Sequence, residues 1–211
     1  MTKNKTITLC LSVALALSAC AEQESADTYL IQAKSYLKDS QYKESAIALK
    51  NAVRLAPDNN EIRFLLGQAY LSLGSALDAV KELERAQSLN YQGNQLLPSL
   101  ARAYLIANDE NSILTLKGVE SLPDESKVEY LAYKTLAAIK SQQPELAQEA
   151  SREALSLLPA NMFSILSQAY VELNQNNIEK ADALINKINS LTRNNPEVVM
   201  LEAQIAAAQQ D

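Results

Sequence analysis

The sequence predicts an all-α protein, a solenoid built from about five and a half helical hairpins. Three observations lead there. Residues Glu61 to Leu89, EIRFLLGQAYLSLGSALDAVKELERAQSL, carry two apolar stripes at helical spacing: Leu66, Ala69, Tyr70 and Leu73, then Leu77, Val80, Leu83, Ala86 and Leu89. Tyr36, Tyr70 and Tyr104 recur at a fixed interval (70−36=34, 104−70=34), and Tyr170 falls near a later multiple. The composition, with no tryptophan, two phenylalanines and abundant alanine and leucine, suits closely packed helices better than a sheet. A single hairpin cannot offset an ordering cost of about 1 to 2 kcal/mol per residue, so the copies must stack.

The chain opens with Lys3 and Lys5, an uncharged run from Thr6 to Leu17, and small residues after it. This is the three-part plan of a secretory signal over residues 1–19. A transmembrane anchor is the alternative, but the run is shorter than the roughly 20 apolar residues that span a bilayer. Leu17-Ser18-Ala19-Cys20 resembles the lipobox of bacterial lipoproteins, which implies that Cys20 becomes the lipidated first residue of the mature chain. An ordinary signal with an incidental cysteine is the other reading. Residues 20–26 are then the lipidated cysteine and its tether. By the same resemblance, Ala21 in place of aspartate implies sorting to the outer membrane. The expected location is the cell envelope, anchored by lipid and facing the periplasm.

Cys10 leaves with the signal, so no thiol or disulfide remains and stability rests on packing. The mature chain carries 17 basic and 25 acidic residues, a charge of 17−25=−8. That balance argues against nucleic acid as a partner and against adhesion to anionic lipid.

The repeats follow in order over residues 27–211: about 27–59, 60–93, 94–122, 124–160 and 161–194, with a half repeat at 195–211. In the first, Ser45 and Ala52 are small enough for close helix approach and Pro57 ends the second helix. In the second, Gly74 supplies a left-handed helix end and Ser75 with Asp78 reads as a capping box. The third begins well with Leu100, Ala101 and Tyr104, but Lys117 and Glu120 stand where a large apolar residue and an alanine are expected. The fourth has a first helix over roughly Asp124 to Lys140 without the recurring tyrosine, then Ala147, Ala154 and Pro159. In the fifth, Asn174 to Asn177 read as a lengthened turn. Asn195-Pro196-Glu197 caps a last helix that is apolar on most sides, which reads as the front of a longer array, with a terminal capping helix as the alternative.

The 34-residue period, with Leu66, Gly67, Tyr70, Gly74, Ala79, Leu83 and Ala86, resembles the tetratricopeptide repeat, which implies a right-handed superhelix. Together with the lipobox, phrases such as LKNAVRLAPDNNEIRFLLGQAYLSLG and LARAYL resemble the tetratricopeptide lipoproteins of the exosortase and PEP-CTERM sorting system. That resemblance implies an accessory scaffold for envelope protein sorting or exopolysaccharide production. A general outer-membrane assembly or secretion lipoprotein with the same groove is the alternative. Members of that group are far longer than this chain.

Catalysis has little to stand on, because there is no histidine and no phosphate-binding glycine loop, so no catalytic residue, metal ligand or cofactor is expected. Glu82 with Glu84, and Glu149 with Glu153, read as solvated helix faces. By resemblance to peptide-binding tetratricopeptide modules, groove positions fall on Lys34, Lys38, Gln68, Ser72, Arg102 and Gln168. Lys34, Lys38 and Arg102 form an expected basic strip for a protein or peptide carboxylate, or for an acidic polysaccharide. Ordinary solvated charge is the competing reading for each. The tyrosine series is expected to pack between helices.

Overall fold

The computed structural model describes residues 25–191 and 195–209. The signal, Cys20 and the tether up to residue 24 lie outside the described residues. Among the described residues there are eleven α-helices and no strand. Five hairpins follow one another: α1 (Ala26–Lys38) with α2 (Tyr42–Leu55), α3 (Asn60–Ser72) with α4 (Ala76–Ser88), α5 (Leu96–Ile106) with α6 (Glu110–Leu114), α7 (Asp124–Lys140) with α8 (Pro144–Leu157), and α9 (Met162–Asn174) with α10 (Ile178–Leu191). The last helix, α11 (Pro196–Ala208), stands where the first helix of a sixth hairpin belongs.

Every hairpin closes through the same three-residue turn, whose central residue is left-handed: Ser40, Gly74, Asn108, Gln142 and Asn176, with φ of 57°, 73°, 58°, 57° and 62°. The next N–H then returns to a carbonyl five residues back: Gln41 to Tyr36 at 2.8 Å, and Ser75 to Tyr70, Asp109 to Tyr104, Gln143 to Ala138 and Asn177 to Glu172, each at 2.9 Å. This is the αL closure that satisfies the last carbonyls of a helix. Successive turns are 34 residues apart throughout (74−40=34, 176−142=34). The turn after α9 is therefore no longer than the others, against expectation, because asparagine tolerates the left-handed conformation that the closure needs. Glu172 occupies the position of Tyr104 in that register, so Tyr170 is not its counterpart.

Backbone wrapping also replaces the expected capping box, since the Ser75 side chain makes no cap hydrogen bond. Side-chain caps appear instead on four of the first helices, and on α6 through Asp109. On α1, Ser25 Oγ accepts from the Thr28 N–H at 3.1 Å. Asn59 Oδ1 accepts from the Ile62 N–H at 3.1 Å, Asn161 from Phe163 at 2.8 Å, and Asn195 from Glu197 and Val198 at 3.0 and 3.2 Å.

Three positions of each second helix face the first helices: Ser45, Leu49 and Ala52 in α2, Ala79, Leu83 and Ala86 in α4, Ala147, Ser151 and Ala154 in α8, and Ala181, Ile185 and Ile188 in α10, all buried. Small residues here let helices approach, and the Ser45 hydroxyl donates to the Ala33 carbonyl at 3.1 Å. Leu73 and Leu77 are exposed at 43% and 76%, contrary to the predicted stripe, and Leu71 and Ala79 are buried in their stead. Of the tyrosines, Tyr104 and Tyr170 are buried, while Tyr36 and Tyr70 are half-buried against the core. In the third hairpin the three inward positions are Ile113, Lys117 and Glu120; only Ile113 is buried, and the helix stops at Leu114. Gly118, at φ 86°, and a 3-10 turn over Val119–Ser121 carry the chain to α7.

Neighbouring hairpins touch first helix to first helix, α3 to α5, α5 to α7, α7 to α9 and α9 to α11. The second helices α2, α4, α8 and α10 wedge behind the next first helix. The first helices therefore line one common inner face, the geometry from which solenoids make their extended binding surfaces.

Candidate functional site

Counting six residues back from each turn centre places Lys34, Gln68, Arg102, Leu136 and Tyr170 at one equivalent position on the five first helices. Each expected groove residue has a definite place. Lys34 Nζ lies 2.7 Å from Glu61 Oε1 in a half-exposed ion pair joining α1 to α3. Gln68 donates from Nε2 to Ser99 Oγ, and Ser99 donates in turn to the Gln95 carbonyl at 2.6 Å. The Ser72 hydroxyl donates to the Gln68 carbonyl of its own helix at 3.1 Å, and Lys38 is exposed. Gln168 lies two residues out of register, and Tyr170 holds the equivalent position. The expected basic strip is thus interrupted, because Lys34 and Arg102 each face a carboxylate.

The carboxylate facing Arg102 comes from far along the chain. Glu197, in the first turn of α11, brings Oε1 to 2.6 Å from Arg102 Nε on α5, the two side chains being 27% and 12% exposed. The contact is ionic: the buried Nε–H has no hydrogen-bond partner, so it is not aimed at that oxygen. The Tyr133 hydroxyl on α7 points at the same oxygen from 3.4 Å, and the Tyr170 hydroxyl on α9 approaches the Glu197 carbonyl at 3.5 Å. Three helices from three successive units therefore converge on one acidic residue of the fourth, α11. Leu105, Leu136, Leu166 and Met200 make the apolar lining beside it.

A second carboxylate stands close by. Burial pushes the Glu129 carboxyl on α7 up to about 7; a hydrogen bond from Gln95 opposes that, the Glu197 charge adds to it, and Arg102 pulls against it. The Tyr133 hydroxyl is held well above its ordinary value, first by burial and then by the charges of Glu197 and Glu129. Burial followed by Glu197 does the same to Tyr170. Both tyrosines stay protonated and able to donate. Sequence reasoning missed Glu129, Tyr133 and Glu197. The signal was present, since Glu61, Glu129 and Glu197 share one register position (129−61=68, 197−129=68), but it emerges only when repeats are counted from the turns.

The acidic pairs read earlier as solvated are partly engaged. Glu82 is buried and accepts from Arg63 Nη1 at 2.6 Å, because position 82 falls at the α3–α4 seam. Glu84 accepts from the Tyr104 hydroxyl at 2.8 Å, and Glu153 pairs with Lys127 at 2.6 Å, while Glu149 is exposed. Among the described residues there is no group of three or more histidine, cysteine or acidic side chains placed to hold a metal ion, and no helix long and apolar enough to cross a membrane.

Stacked hairpins presenting one continuous inner face define a helical-hairpin solenoid. Residues 61–92 match the tetratricopeptide repeat family, and the fold is the tetratricopeptide-type solenoid. No curated protein sequence matches the chain. Among solved structures it is similar to PilW, described as a widely conserved type IV pilus biogenesis factor (TM-score 0.62, 16% identity, 88% of this chain and 86% of that one). It is also similar to YrrB, described as a TPR protein with an unusual peptide-binding site (TM-score 0.59, 12% identity, 94% and 98% covered). A third is MamA from Desulfovibrio magneticus RS-1 (TM-score 0.61, 18% identity, 81% and 97% covered).

Proposed function

We propose that this protein is a noncatalytic scaffold, anchored by lipid at Cys20 in the cell envelope and facing the periplasm, that holds protein or peptide partners on its inner face. The observation that carries this reading is the alignment of Lys34, Gln68, Arg102 and Tyr170 at one register position along that face, so that a polar side chain stands there in four of the five hairpins, with Leu136 in the other. The lipobox resemblance supplies the anchor, and the resemblance to exosortase-associated lipoproteins supplies the process, envelope protein sorting or exopolysaccharide production. An acidic polysaccharide is the nonprotein partner consistent with the cations of this face. A second reading, an accessory lipoprotein of outer-membrane assembly or secretion, draws support from the likeness to PilW and to PilF of Pseudomonas aeruginosa.

Photocrosslinking in intact cells tests the scaffold. Reactive residues at Lys34 and Gln68 on the inner face should capture a discrete envelope protein, and the exposed outer positions Lys81 and Glu149 should not. Equal capture from both faces, or none from either, removes the inner face from the reading. The identity of the captured protein then separates sorting from pilus or outer-membrane assembly.

A further inference from the structure

Where α6 stops at Leu114, the chain that follows leaves a cleft of about 400 Å³ against the linker between α4 and α5. One wall comes from residues 117–122, the stretch that departs from the repeat pattern, and the other from residues 87–97. Both walls are held in place by the fold itself. The Tyr91 ring stacks on Phe64 with centroids 4.4 Å apart, and the linker folds back over it at Gly93, where an added Cβ would fall 2.4 Å from Tyr91 Cε1. Asn90, left-handed at φ 60°, lets the Tyr91 N–H close on the Ala86 carbonyl at 3.0 Å. At Gly118 an added Cβ would touch Leu97 Cδ1 at 3.6 Å, so the two walls meet there. Preformed clefts that hold small ligands measure roughly 300 to 1,000 Å³.

The lining is selective in its chemistry. Gln87, Asn90, Gln92 and Asn94 present exposed carboxamides, Ser121 a hydroxyl, and Lys117 the one charge among the described lining residues. No carboxylate stands among them, although the chain carries 25 acidic residues. Among the described residues, the side chains of Gln87, Asn90, Asn94 and Lys117 have no hydrogen-bond or ion-pair partner. A carboxamide both donates and accepts, as a sugar hydroxyl does, whereas a carboxylate ligand by itself calls for donors only. We propose that this cleft binds a short stretch of an acidic polysaccharide, the carboxamides taking sugar hydroxyls and Lys117 a uronate carboxylate. Lys117 then binds ligand as well as halting the helix. None of Lys34, Gln68 and Arg102 lines the cleft, so this site and the inner face stand or fall separately.

The probe is digalacturonic acid, titrated into the full chain and followed by NMR of the backbone amides. Saturable shifts should concentrate at Gly93 and Gly118, and Lys117→Gln should raise the dissociation constant about tenfold. Asn94→Ala should raise it about threefold, and the neutral disaccharide galactobiose should bind about tenfold more weakly than digalacturonic acid. Lys117→Leu with Glu120→Ala, which extends α6 through this wall, should abolish binding. Absence of saturable shifts, or shifts that Lys117→Gln and Asn94→Ala both leave unchanged, overturns the proposal. Equal binding of succinate or of an acidic dipeptide overturns it too, since the cleft would then read carboxylates without regard to sugar. Circular dichroism checks that each variant is folded. If Lys117→Gln unwinds α6, Asn94→Ala on the opposite wall carries the test.

Discussion

The second and third hairpins share a turn geometry and a 34-residue length, yet one is complete and the other is half unwound. In the second, Ala79, Leu83 and Ala86 drop into the seam with α3, and Leu83 lies against Gly67, where an added Cβ would come within 2.6 Å of Leu83 Cγ. In the third, the same three places hold Ile113, Lys117 and Glu120. A lysine and a glutamate cannot enter an apolar seam unpaired, so the helix stops at Leu114 and α7 packs directly on α5. Two side chains thus decide whether a second helix exists, while the turn is indifferent to them. Packing, not turn chemistry, sets the length of each outer helix.

The largest effect should come from imposing the third hairpin's residue on the second. Leu83→Lys removes a fully buried side chain and puts an ammonium in its place, at a cost of about 5 kcal/mol or more, with loss of α4 helicity in circular dichroism. A thermal midpoint within a few degrees of wild type would break the comparison. The converse change, Lys117→Leu with Glu120→Ala, should lengthen α6 and raise ellipticity.

Next come the tyrosines. Tyr104 is buried, and its hydroxyl, raised by burial and then by the hydrogen bond to Glu84, ties α5 to α4. Tyr104→Ala should cost about 3 to 5 kcal/mol. Half-buried Tyr70, in the complete hairpin, should cost about 1 to 2 kcal/mol on the same truncation, and denaturant titration of both would expose a reversed order.

The junction where α7 meets α5 should also respond to pH. Glu129 is raised from 4.5 to about 7 in the folded protein, so between those values the native state holds a proton that the unfolded chain has lost. Stability therefore falls as pH rises through that window, by about 1 to 3 kcal/mol. Glu129→Gln should flatten the dependence of the thermal midpoint between pH 5 and 7.5, and an unflattened profile would place the titrating group elsewhere.

The smallest expected effect isolates the turn itself. At Gly74 an added Cβ meets nothing within 4 Å, so Gly74→Ala reports only the left-handed backbone at φ 73° and should cost about 1 kcal/mol. A loss as large as that of Tyr104→Ala would make the turn, and not the seam, the organising element.

The architecture was legible because burial repeats. Leu49, Leu83 and Ile185 lie at the same inward position, and the defect at Lys117 and Glu120 could be read as a departure from it. What escaped was register. Tyr170 was assigned by its resemblance to Tyr104, although the turn at Asn176 makes Glu172 the counterpart, and Gln168 was carried two residues astray with it. Four of the five turns lack glycine, so their positions carry no compositional mark. The Arg102 and Glu197 contact was illegible for a different reason. It joins residues three repeats apart, and such a meeting depends on how the hairpins stack, which no local pattern encodes.

The identical turns have a consequence for how the chain can be cut. Residues 41–74 run from just after one turn centre through the next, a span that carries α2 and α3 and leaves α1 joined to α4 through a chemically equivalent bend. The array is in that sense a chain of interchangeable links. Taking one out shortens the inner face by a unit while leaving Arg102 and Glu197 the same number of residues apart.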